Sequence, residues 1–234
     1  MRHFAQILSL IVLFASCRQE VKQKNIPPHN DRLFTLYDTL NEKYNSVPTN
    51  FDTLYNLAKE IKTLADNYKK SNNQKVPEIY KRCSDIFRTH CSDYCGSDNP
   101  SILCCKDSLT IIECYLKAIK IYQTNHETTS EGYIDAIYQL ADVYDQLNKS
   151  SLALPLRLDY LRITQTTEGN SSDMTADAFM FAGGTYELLN EFKLANEYYL
   201  KELEVRRPLN KENFKMVQER IAKFQSRHNL HLDN

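Results

Sequence analysis

Five residue pairs recur at a single interval in the C-terminal half of this 234-residue chain, and that interval constrains the fold more than any other feature. Leu140, Ala141 and Tyr144 return as Ala182, Gly183 and Tyr186; Asn148 and Ala153 return as Asn190 and Ala195, each 42 residues later. One step further back, Ile111 falls under Ala153, and Ala118 and Ile119 under Tyr160 and Leu161. The repeating unit reads as a pair of helices. One hairpin cannot bury its apolar face alone, so neighbouring copies must stack. The expected fold class is all-α, an α-solenoid of stacked antiparallel helical hairpins.

Composition supports that class. Five glycines and seven prolines supply few turns, which favours helices joined by short loops over a many-stranded sheet. With 29 basic and 30 acidic residues there is no cationic surplus, so no nucleic-acid partner is expected.

Within the repeat, Phe179 to Pro208 resembles a tetratricopeptide (TPR) repeat. Phe179 sits at the first aromatic place, Ala182-Gly183 at the Leu-Gly place, Tyr186 at the Tyr place and Asn190 at the turn. Ala195, Tyr199 and Leu203 follow on the second helix, with Pro208 near the closing proline. The 42-residue spacing is similar to that of kinesin light chains, whose loops between repeats are extended. The extra length is expected in Thr164 to Asp173 and in Gln123 to Ser130. Thr128 to Glu131 fits a capping box, and Ser172 with Asp173 an N-cap. Phe214, Val217, Ile221 and Phe224 read as a terminal cap helix. Cys83, Ser84 and Phe87 fit the first-helix signature of an earlier repeat whose turn carries an insertion.

The chain opens with Met1-Arg2-His3, an apolar run from Phe4 to Phe14, and Ala15-Ser16-Cys17. That is the three-part pattern of a secretory signal, too short to span a bilayer. Ala15-Ser16-Cys17 resembles the lipobox of bacterial lipoproteins, with Phe14 where Leu is usual. The resemblance implies a diacylglyceryl-modified Cys17 as mature N-terminus, lipid anchoring to a membrane and residence in the bacterial cell envelope, with the outer membrane favoured. The expected organisation is a signal peptide at 1–16, a lipid-anchored tether at 17–30, an N-terminal helical hairpin region at 31–90, a Cys-rich inserted loop at 91–105, and TPR-like repeats with a capping helix at 106–228. In the first hairpin, Val47-Pro48 separates the helices and Asn50 is the expected N-cap of the second.

Apart from Cys17, the cysteines are Cys83, Cys91, Cys95, Cys104, Cys105 and Cys114. An exported chain makes Cys91, Cys95, Cys104 and Cys105 disulfide candidates, since their loop has little apolar content to hold a shape. Zinc held by His90 and these four thiols is the alternative, against which the adjacency of Cys104 and Cys105 counts. Cys83 and Cys114 fall on helical faces and read as free buried thiols.

No Gly-x-Ser-x-Gly, phosphate loop or His-Glu-x-x-His motif is present, so no catalytic residue, metal or cofactor is assigned. His126, His228 and His231 stand among polar residues and read as solvent-exposed. The family's groove positions, carried over residue by residue, fall on Asp135, Tyr138, Asp142, Asp145 and Gln146, then on Asp177, Met180, Gly184, Glu187 and Leu188. The resemblance therefore implies a non-enzymatic protein-binding scaffold with an acidic groove. Its partner would be a protein or peptide, basic or amide-rich, anchored on Tyr138 and Met180. The alternatives are a periplasmic sensory or regulatory module, or an accessory subunit of an envelope uptake or secretion complex.

Overall fold

A computed structural model describes residues 28–46, 50–68, 73–94, 107–209 and 211–230. Among them the chain forms helices α1 (Pro28–Asn45), α2 (Phe51–Asp66), α3 (Lys75–Tyr94), α4 (Ser108–Thr124), α5 (Glu131–Gln146), α6 (Ser150–Thr167), α7 (Asp173–Leu188), α8 (Phe192–Arg206) and α9 (Lys211–Arg227), with no strand. Each helix packs on the next, and α3 also touches α5, which places alternate helices in one layer. The fold is an all-α solenoid. Signal residues 1–16, Cys17, Cys95, Cys104, Cys105 and His231 lie outside the described residues.

Helix starts follow local chemistry. Asn50, Ser130 and Ser172 cap α2, α5 and α7, their side-chain oxygens accepting from the backbone N–H of Thr53, Tyr133 and Thr175 at 3.2, 3.3 and 3.1 Å. The recurring asparagines end the first helix of each repeat. Asn148 and Asn190 adopt left-handed backbone, φ +56° and +60°. Behind them the N–H of Lys149 returns to the carbonyl of Tyr144 at 2.8 Å, and that of Glu191 to Tyr186 at 2.9 Å. This closes the helix by the reversal that asparagine tolerates better than most residues with a side chain. His126, φ +60°, ends α4 the same way.

The repeat positions are core positions. Cys83, Leu140 and Ala182 are fully buried on α3, α5 and α7, and so are Ile111, Ala153 and Ala195 on α4, α6 and α8. At Gly183 the helices meet most closely, since a Cβ there would lie 2.7 Å from two ring carbons of Tyr199. On α9, Val217, Ile221 and Phe224 cover Ala195 and Tyr199, while the exposed positions are polar or small except for Met216. That is how a stack of repeats ends without offering another apolar face.

Several expected boundaries move. The first helix begins at Pro28, inside the expected tether, because proline suits the first helical position, where no backbone N–H partner is needed. Helix α3 continues through Cys91 to Tyr94, so residues 91–94 of the expected Cys-rich loop are helical. The long interval in Thr164 to Asp173 is partly helix, since α6 runs to Thr167. The cap of α5 is Ser130 itself, so Thr128 to Glu131 is no capping box. His228 is not a solvent-exposed side chain. It stacks on Phe192 at 3.9 Å and lies 4.8 Å from Phe224.

Candidate binding groove

The first helices of the repeats, α5 and α7, carry the ten expected groove positions; Asp135, Tyr138, Asp142, Asp145, Asp177, Met180 and Glu187 are half-buried, as are Gln146 and Gly184, whereas Leu188 is exposed. Tyr138 meets Phe181 edge-on at 5.0 Å and Tyr160 at 5.6 Å, so an aromatic strip runs between the repeats.

The acidic residues at these positions are not free carboxylates, because each is already engaged by a group of this chain. Lys81 of α3 donates to Asp135 at 2.7 Å, and seven residues on, Arg88 donates to Asp142 and Gln139. Arg157 of α6 donates to Asp145 at 3.2 Å and lies 3.8 Å from Asp142. Arg206 of α8 reaches Asp177, and Glu187 accepts from Tyr199 at 2.8 Å. For Lys81, burial works against the charge, but the hydrogen bond and proximity of Asp135 outweigh it and hold the ammonium above its usual value.

These partners follow a repeat of their own. Tyr115, Arg157 and Tyr199 occupy one position on α4, α6 and α8, and each donates to a first-helix carboxylate: Asp85 at 2.7 Å, Asp145 at 3.2 Å and Glu187 at 2.8 Å. Burial raises the Asp85 carboxyl above its ordinary range, against the lowering effect of the Tyr115 hydroxyl. The middle position departs from its neighbours by carrying a charge. The Arg157 side chain is 5% exposed, and its guanidinium lies over the rings of Tyr138 and Phe181, 5.1 and 5.2 Å from their centroids. None of these cations was foreseen. The one available signal was a matched spacing, since Lys81 and Arg88 stand seven residues apart, as do Asp135 and Asp142.

Among the described cysteines, Cys91 is buried, and Cys83 and Cys114 are free and buried; no disulfide joins two described residues, and the candidates Cys95, Cys104 and Cys105 lie outside them. His90 stacks on Tyr55 at 3.9 Å and stands 3.4 Å from Asp52. Among the described residues no group of three or more His, Cys, Asp or Glu side chains converges as a metal site. None of the described helices is long and apolar enough to cross a membrane.

The stacked hairpins align with solved repeat structures. A kinesin light chain from Podosopora anserina, with nearly identical TPR-like repeats, matches with a TM-score of 0.59 at 8% identity, over 84% of this chain and 96% of that one. The fold is of the TPR type. BtubC (BKLC) from P. vanneervenii matches with a TM-score of 0.56 at 16% identity, covering 88% of this chain and 85% of its own length. RapI in its apo form gives 0.59 at 13% identity, and this chain, matched over 84%, spans about half of RapI's length (48%). No family model matches the chain, and no curated protein matches it in sequence.

Proposed function

We propose that this chain is a non-enzymatic protein-binding scaffold. The reading rests on one observation: the half-buried side chains at the groove positions, Tyr138 and Met180 among them, line one face of stacked first helices. A rigid row of such helices offers a preformed surface to a peptide, which lowers the ordering cost of binding. Of the two partner chemistries suggested by sequence, the paired carboxylates favour the amide-rich one over the basic one. A cationic segment would have to displace Arg88, Arg157 or Arg206 from its own carboxylate.

The groove reading predicts that a photo-crosslinking residue at Tyr138 or Met180 traps a protein in intact cells, while one at Leu116, exposed on the outer face of α4, does not. Equal trapping at all three sites would count against it.

Lipid anchoring through Cys17 at a bacterial envelope membrane is the second element of the proposal, and it rests on the lipobox-like Ala15-Ser16-Cys17 after a short apolar run. A chain that takes up an acyl label in its native host, and a Cys17→Ser chain that leaves the membrane fraction, are the expected results.

A further inference from the structure

Gly184 stands inside α7, one turn before its end, with no packing requirement from this chain. A Cβ at that position would meet only Tyr199 Oη, at 3.8 Å, an ordinary contact. Gly183 differs, since the Tyr199 ring excludes any side chain there. Glycine inside a helix is less stable than alanine, and at Gly183 close packing offsets that loss. At Gly184 nothing in the chain does. The missing side chain leaves a notch in the groove wall, on the helix face shared by Met180 and Glu187.

Two unsatisfied atoms belong to side chains that pack against α7 at Phe181 and Thr185. Asp145 Oδ1 and Arg157 Nε are shut off from solvent and have no hydrogen-bond partner. Their side chains touch the residues around Gly184: Arg157 lies over Phe181, and Thr185 donates to Asp145 at 3.0 Å. The two side chains meet through Arg157 Nη2 and Asp145 Oδ2 at 3.2 Å, so the free acceptor and the free donor belong to one contacting pair. That pair is the complement of a carboxamide, whose N–H donates and whose C=O accepts. Leaving both atoms unpaired is unfavourable, so a ligand that supplied both bonds would gain by doing so.

We propose that a partner polypeptide crosses α7 with its backbone in the Gly184 notch and inserts an Asn or Gln side chain against Asp145 Oδ1 and Arg157 Nε, with the Tyr138 ring turning off the guanidinium to admit it. The inference rests on the groove reading above and names its ligand chemistry.

Random peptides displayed on phage and selected on the purified full chain test both. The expected winners carry Asn or Gln, and replacing that residue with Leu in the peptide abolishes binding. Filling the notch by Gly184→Leu should weaken the same peptides roughly tenfold or more, as steric overpacking does. Gly184→Ala should unfold at a temperature no lower than the parent, which shows that the glycine is not kept for the fold. If no peptide enriches, or if the enriched peptides bind Met180→Glu as tightly as the parent, the groove reading fails. If Met180→Glu abolishes binding but Gly184→Leu or the Leu-substituted peptide binds unchanged, the groove reading survives and the notch inference is overturned.

Discussion

Arg157 of α6 holds Asp145 of α5 at 3.2 Å at the repeat position where, 42 residues on, Tyr199 holds Glu187. Removing the guanidinium would leave Asp145, with its side chain only 12% exposed, as an unpaired charge. Arg157→Met is expected to cost about 3 kcal/mol, the usual penalty for breaking a buried pair from one side. Arg157→Tyr, which restores the hydroxyl used at Tyr115 and Tyr199, should cost less. Urea denaturation of both variants measures the difference, and equal losses would contradict the repeat argument.

Close approach at Gly183 sets a steric limit. Gly183→Ala drives a Cβ to 2.7 Å from the Tyr199 ring, which is itself buried, so the ring or the helix must move. The expected loss is about 1–3 kcal/mol, read from thermal or urea unfolding. The same change one residue later should cost nothing.

Left-handed backbone at Asn148 and Asn190 separates asparagine from branched residues. Asn148→Val and Asn190→Val should each lose about 1–2 kcal/mol, because a β-branched side chain crowds the carbonyl at positive φ. Glycine at either site should be neutral or stabilising. Chemical denaturation of the four single variants tests the pattern.

The buried thiols of Cys83 and Cys114 give a pH dependence with a definite sign. Burial is the main cause of both shifts; it pushes the Cys114 thiol up to about 12 from an ordinary 9.0 and raises Cys83 well above the same value. The unfolded chain therefore releases these protons first as pH rises. The two thiols leave stability unchanged below about pH 9 and lower it above that, for Cys114 until about pH 12, by at most ~1.4 kcal/mol per pH unit for each thiol. A Cys83→Ala, Cys114→Ala chain should show a shallower alkaline fall in urea midpoint than the parent. Native labelling with iodoacetamide, followed by mass spectrometry, should leave both thiols unmodified until the chain is unfolded.

The sequence by itself determined what depends on neighbours along the chain. Helix starts at Asn50 and Ser172 follow from a side-chain oxygen bonding the N–H three residues on, and the same local bond starts α5 at Ser130 in place of the expected Thr128 to Glu131 box. The 42-residue recurrence located Leu140 and Ala182 or Ala153 and Ala195 as core, because a repeated helix pair can bury only its repeated apolar face. Only the tertiary structure decided the electrostatics of the groove. Asp135 and Asp142 look like free acids from their own helix, yet their cations stand 54 residues earlier on α3, and the guanidinium that reaches Asp145 comes from the next helix. Helical periodicity tells which face a residue occupies, but not which side chain from another helix will meet it there. Ion pairs between helices depend on stacking distance and register, and those are set by contacts such as Gly183 against Tyr199.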